Sequence, residues 1–140
     1  MTKVALMGAG GKMGLRLASN LMKSDHDVLH VEIDPAGQQR LKDETGIDCV
    51  GQGQALNNAE AVILAVPDRL IGKVLNGFIY DLKPGTAVIM LDAAAPHAET
   101  LPKRADITYF VAHPCHPPLF NDETDPDAQK DYFGGIAAKQ

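Results

Sequence analysis

Four glycines within seven residues, Gly8, Gly10, Gly11 and Gly14, follow a short apolar run over 4–7 and lead at once into a helical pattern. A strand, a tight turn and a helix in that order make a site for an anion. The first N–H groups of a helix lack intrahelical partners, and the positive end of its dipole faces the same way. Gly8 lets the chain leave the strand sharply. Gly10 and Gly11 leave room for a pyrophosphate against the backbone, and Gly14 lets the helix lie close to a sheet. A strict G-x-G-x-x-G would end at position 13, which is Met13; the run also reads as G-x-x-G-x-x-G through Gly8, Gly11 and Gly14. The stretch Gly8, Ala9, Gly10, Gly11, Lys12 and Met13 is the candidate dinucleotide-binding turn.

A second chemical residue is Asp34, 26 positions after Gly8 and just past the second expected strand, 28–33. An acid there accepts hydrogen bonds from ribose hydroxyls and repels a 2′-phosphate, so the expected cofactor is NAD rather than NADP. Asp34 precedes Pro35 and also suits the cap of a following helix; the two roles are compatible. Glu32 competes as the acid, although the pattern puts it inside the strand. Val66, Pro67 and Asp68 end another apolar run, at 61–66, and are expected to close the cofactor site, with Asp68 capping the next helix.

His113 is the candidate proton-transfer residue. It follows an apolar run at 107–112, and imidazole exchanges protons near neutrality. Asp92 either orients a histidine or caps a helix. His113, Cys115 and His116 are metal-capable, but their spacing matches no standard zinc pattern. Cys115 reads as a reduced packing residue.

The elements that position these residues alternate. Strands are expected at 4–7, 28–33, 47–50 (a weak one), 61–66, 87–91 and 107–112, with a seventh beginning near 132–137. Helices are expected at 11–23, 36–45, 70–80 and briefly within 93–101, with one turn at 54–58. Such alternation predicts an α/β fold, a doubly wound parallel sheet of the Rossmann type with helices on both faces. The glycine turn, Asp34, Val66–Asp68, Asp92 and His113 then converge on one edge, beyond the carboxyl ends of the strands.

The 140 residues are one domain's worth of chain, and 45% apolar with 22% charged content reads as globular. A net charge of −5 gives no reason to expect nucleic acid or an anionic membrane as a partner. No apolar run could span a bilayer, no signal-like segment precedes the first strand, and two cysteines make no disulfide framework. The expected location is therefore cytoplasmic.

With Gly8–Gly14, Ala65-Val66-Pro67-Asp68 and His113-Pro114, the chain resembles the N-terminal domains of prephenate dehydrogenases and of the 6-phosphogluconate and β-hydroxyacid dehydrogenases. Prephenate dehydrogenases carry a substrate-facing histidine in a His-Pro pair, which His113-Pro114 matches. Their serine-bearing turn after strand five is here Asp92-Ala93-Ala94-Ala95-Pro96. That turn and the 113–122 stretch are more similar to a sugar-acid branch, that of the D-apionate oxidoisomerases. This resemblance implies NAD-linked oxidation of a polyhydroxy acid, coupled to rearrangement of its carbon skeleton. A Lewis acid would help such a shift, which makes His116 the candidate metal ligand. The resemblance covers the family's first half. It implies that residues 1–140 are the dinucleotide-binding domain. A helical second domain would complete the substrate site and form a homodimer. Two other readings stand beside it: a prephenate-type dehydrogenase, and a module that binds NAD without chemistry.

Overall fold

The computed structural model describes residues 1–113 and 124–126. Its elements are β1 (Lys3–Met7), α1 (Lys12–Leu21), β2 (Asp27–Val31), α2 (Pro35–Thr45), α3 (Gln52–Leu56), β3 (Ala61–Leu64), α4 (Ile71–Asn76), β4 (Ala87–Met90), α5 (Ala94–His97) and β5 (Thr108–Val111). The five strands form one parallel sheet in the order β2-β1-β3-β4-β5. Order therefore reverses between β1 and β3, and this is where ligands enter such sheets. The α/β doubly wound expectation holds.

Alternate strand residues feed two cores, as a period of two requires. Ala5, Met7, Val62, Leu64, Val88 and Met90 pack on one face with Ile71, Leu75 and Phe78. Leu6 faces the other way, with Ala9, Ala18 and Leu41 from the α1–α2 side. Helices thus cover both faces. Among the described residues no helix is long and apolar enough to cross a membrane.

Several boundaries differ from the sequence expectation, each for a local reason. Residues 47–50 are not a strand. Val50 N–H donates to the His30 carbonyl (2.9 Å), a single bond where a ladder would need several, and the chain turns into α3 at once. β2 stops at Val31, because its partner β1 turns away at Gly8 and nothing remains to pair with. Glu32 is therefore outside the strand, not within it. Asp68 does not cap a helix: residues Asp68–Leu70 form a 3-10 turn without a side-chain cap, and α4 starts behind it. The expected helix to residue 80 breaks at Gly77 and resumes as a 3-10 turn, Ile79–Asp81. The strand expected near 132–137 lies outside the described residues.

Candidate functional site: a nucleotide cleft at the switch point

The glycine turn hangs from the end of β2. Gly8 N–H and Ala9 N–H both donate to the Val31 carbonyl, at 2.9 and 3.0 Å, and Gly11 N–H donates back to Gly8. The glycines are required for different reasons. Gly8 has φ +77, and a Cβ there would lie 2.5 Å from the Ala65 carbonyl oxygen. At Gly14 a Cβ would meet the Gly8 oxygen at 2.0 Å, and at Gly10 it would meet the Gly37 oxygen of α2 at 2.3 Å. Gly11 differs: a Cβ would make only ordinary contacts, the nearest at 3.5 Å. The protein's own packing needs three of the four, and Gly11 stays open to whatever approaches from outside. Tight turn and helix packing thus fall to Gly8 and Gly14. Gly10 serves the contact with α2. Lys12 and Met13 begin α1, whose N-cap is Gly11.

Glu32, which the sequence reading placed second to Asp34 and inside the strand, is held beside the turn. Its Oε2 accepts from Gly10 N–H at 3.0 Å, and its Oε1 accepts from Ile33 N–H and Asp34 N–H at 2.8 and 3.0 Å. The carboxylate is pinned beside the turn with acceptor capacity left over. Gly37 makes room for it, since a Cβ there would lie 2.8 Å from Glu32 Cγ. Asp34 is placed otherwise. Its two oxygens accept from Ala36 and Gly37 N–H at 3.3 and 3.1 Å, capping α2, and Arg40 lies 3.8 Å away. A glycine in the first turn of α2, which helix propensity disfavours, was the available signal for the Glu32 arrangement.

A mostly apolar cleft of about 370 Å³ opens at the switch point. Gly8, Glu32, Ile33, Val66, Leu70 and Val74 are among its lining residues. Ile33 is 88% exposed, a large apolar side chain standing at the cleft mouth. Pro67 and Asp68 lie on the exposed loop just beyond Val66. A second, polar groove of about 790 Å³ shares Val31, Glu32, Ile33 and Gln52 with this cleft. Cys49 lines that groove, and burial, together with the negative Glu32, pushes its thiol up, the opposite of an activated nucleophile.

His113 stands at the same edge, beyond β5. Its Nδ1 lies 3.0 Å from the Leu91 carbonyl oxygen and 3.5 Å from Asp92 Oδ2. Asp92 Oδ1 accepts from Ala94 N–H at 2.7 Å, so Asp92 serves both the start of α5 and the histidine. His116 and Cys115 lie outside the described residues. Among the described residues no group of three or more His, Cys, Asp or Glu could hold a metal.

Residues 3–96 match the family described as NADP oxidoreductase coenzyme F420-dependent. The chain belongs to that family. It is 63% identical to the D-apionate oxidoisomerase of Cupriavidus necator over 138 residues, covering 99% of this chain and 50% of that protein. It is 63% identical to the D-apionate oxidoisomerase of Rhizobium rhizogenes over 140 residues, covering 100% of this chain and 51% of that one. A crystal structure of a semialdehyde dehydrogenase NAD-binding protein from Cupriavidus necator, in complex with calcium and NAD, superposes with a TM-score of 0.88 at 62% identity. It is matched over 100% of this chain and 51% of its own. The chain thus spans about half the length of these relatives.

Proposed function

We propose that this chain is the cofactor-binding part of an NAD-dependent oxidoreductase acting on a hydroxylated sugar acid of the D-apionate type. The observation that carries the reading is the 63% identity to D-apionate oxidoisomerases over the whole chain. The geometry fits the cofactor. Gly11 leaves space at the head of α1, where a pyrophosphate would meet free helix dipole and backbone. We assign the ribose hydroxyls to Glu32, which lines the cleft, over Asp34, whose oxygens are engaged by its own helix. The family's description names NADP, but a fixed carboxylate at this position repels a 2′-phosphate and favours NAD.

NAD, when bound, supplies the hydride acceptor, and the protein supplies position and proton transfer. His113 holds the hydrogen of its ring on Nδ1, toward the Leu91 carbonyl, so Nε2 is the nitrogen free to take the substrate's hydroxyl proton. Asp92 then lies beside the imidazolium that forms. Calcium, present in the related crystal structure, takes oxygen ligands, and His116 offers nitrogen. His116, the residue named for a metal, does not fit that ion. We assign the substrate contacts and a homodimer interface to the half of the relatives that this chain does not span.

Calorimetric titration with NADH and, separately, NADPH tests the reading. Tight NADH binding with weak NADPH binding is expected. Binding of neither, or preference for NADPH, overturns it.

A further inference from the structure

We propose that Gln52 reads the base of the bound dinucleotide and makes the site specific for a 6-aminopurine over a 6-oxopurine. The inference rests on the dinucleotide reading above and goes past it, to a residue no motif singles out. Among the described residues the apolar cleft has three polar side chains in its lining: Glu32, Gln52 and Lys73. Glu32 is committed to the glycine turn and, in our assignment, to the ribose. Lys73 has donors but no acceptor. Gln52 alone of the remaining two offers both, and it stands where the apolar cleft and the polar groove meet. The groove's other glutamines are engaged: Gln38 donates to the Glu32 carbonyl at 2.7 Å and Gln39 to Asp43 at 2.7 Å. The Gln52 amide makes no hydrogen bond among the described residues.

Ile33, Val66, Leu70 and Val74 give the cleft an apolar lining, which suits a flat ring. A purine held there turns an edge to Gln52. Adenine presents an amino group and N7 side by side, one donor and one acceptor, which a glutamine amide matches in both positions. A 6-oxopurine presents two acceptors on that edge, so one amide position is always mismatched.

The test is a cycle of dissociation constants measured by calorimetry with NADH and with its hypoxanthine analogue, deamino-NADH, on the wild-type chain and on Gln52→Leu. Gln52 is exposed at the start of α3, so the substitution leaves the core intact. Wild type is expected to prefer NADH by about five- to tenfold, the worth of one neutral hydrogen bond. Gln52→Leu is expected to lose that preference and to bind both alike. Equal binding of the two by wild type, or a preference that survives in Gln52→Leu, overturns the inference while leaving the dinucleotide reading in place. Binding of neither by wild type overturns both.

Discussion

Glu32 Oε2 accepts a hydrogen bond from Gly10 N–H at 3.0 Å, joining two positions 22 residues apart. The bond holds the carboxylate beside the glycine turn, where we propose that the ribose is bound. Glu32→Gln is expected to lower NADH affinity about tenfold, as loss of a charge-assisted bond does, and to narrow the gap to NADPH. Asp34→Ala is expected to act on stability instead, at a cost of about 1 kcal/mol for a lost helix cap, with the NADH preference kept. Thermal melting and calorimetry on the two variants separate the roles. An unchanged cofactor preference in Glu32→Gln would sink the ribose assignment.

The four turn glycines should respond differently to alanine. Gly14→Ala puts a carbon 2.0 Å from the Gly8 oxygen and is expected to destabilise by about 3 kcal/mol or more, or to prevent folding. Gly11→Ala should stay within about 1 kcal/mol of wild type and lose NADH affinity by more than about tenfold. Gly37→Ala should weaken NADH binding too, through displaced Glu32, although Gly37 sits on a different helix. Retained NADH affinity in Gly11→Ala would mean that no anion approaches there.

His30 makes stability depend on pH. It is 6% exposed on β2, its Nε2 has no hydrogen-bond partner among the described residues, and burial holds its imidazole below the ordinary value of 6.5. As pH falls, the unfolded chain therefore takes up the proton first. This contribution is fully present above pH 6.5 and is lost as pH drops through that value toward the lower folded one. The slope is expected to approach about 1.4 kcal/mol per pH unit at most. Denaturant melts between pH 7.5 and 5 should show it in wild type and show less of it in His30→Leu, once compared at matched salt.

The His113 ring should be a single tautomer. Nitrogen-15 shifts of the neutral imidazole are expected to report the hydrogen on Nδ1, where the Leu91 carbonyl accepts it. In an enzyme carrying this domain, His113→Ala should then lower turnover about a hundredfold or more, with NADH binding kept. A hydrogen found on Nε2 would contradict the assigned proton acceptor.

Much of this was legible in the chain because the signals were local. The apolar runs before Gly8, Pro67 and His113 give three strands of the sheet, and the glycine turn gives the switch point. What escaped depended on partners distant in sequence. Residues 28–33 read as one strand because Ile33 continues the apolar run, yet a strand lasts only as long as its neighbour. β1 leaves at Gly8, so Glu32 falls outside the ladder and becomes available to the turn. Residues 47–50 have strand-like composition, but only one backbone bond reaches β2. Gly37 gave a weak signal, since its reason is the Glu32 side chain and the Gly10 backbone, both across an interface.

One carbonyl, that of Val31, receives both Gly8 and Ala9 N–H groups. It follows that the motif nearest the N-terminus is shaped by residues synthesised more than twenty positions later. A ribosome releasing this chain would expose the glycine stretch as a limp segment first. The turn would begin to take its shape once β2 had docked beside β1, and would reach its final contacts, Gly10 on Gly37 of α2 and Gly8 on Ala65 past β3, only when those residues had followed. A probe of this turn during synthesis would therefore report the arrival of its partners, not of the motif itself.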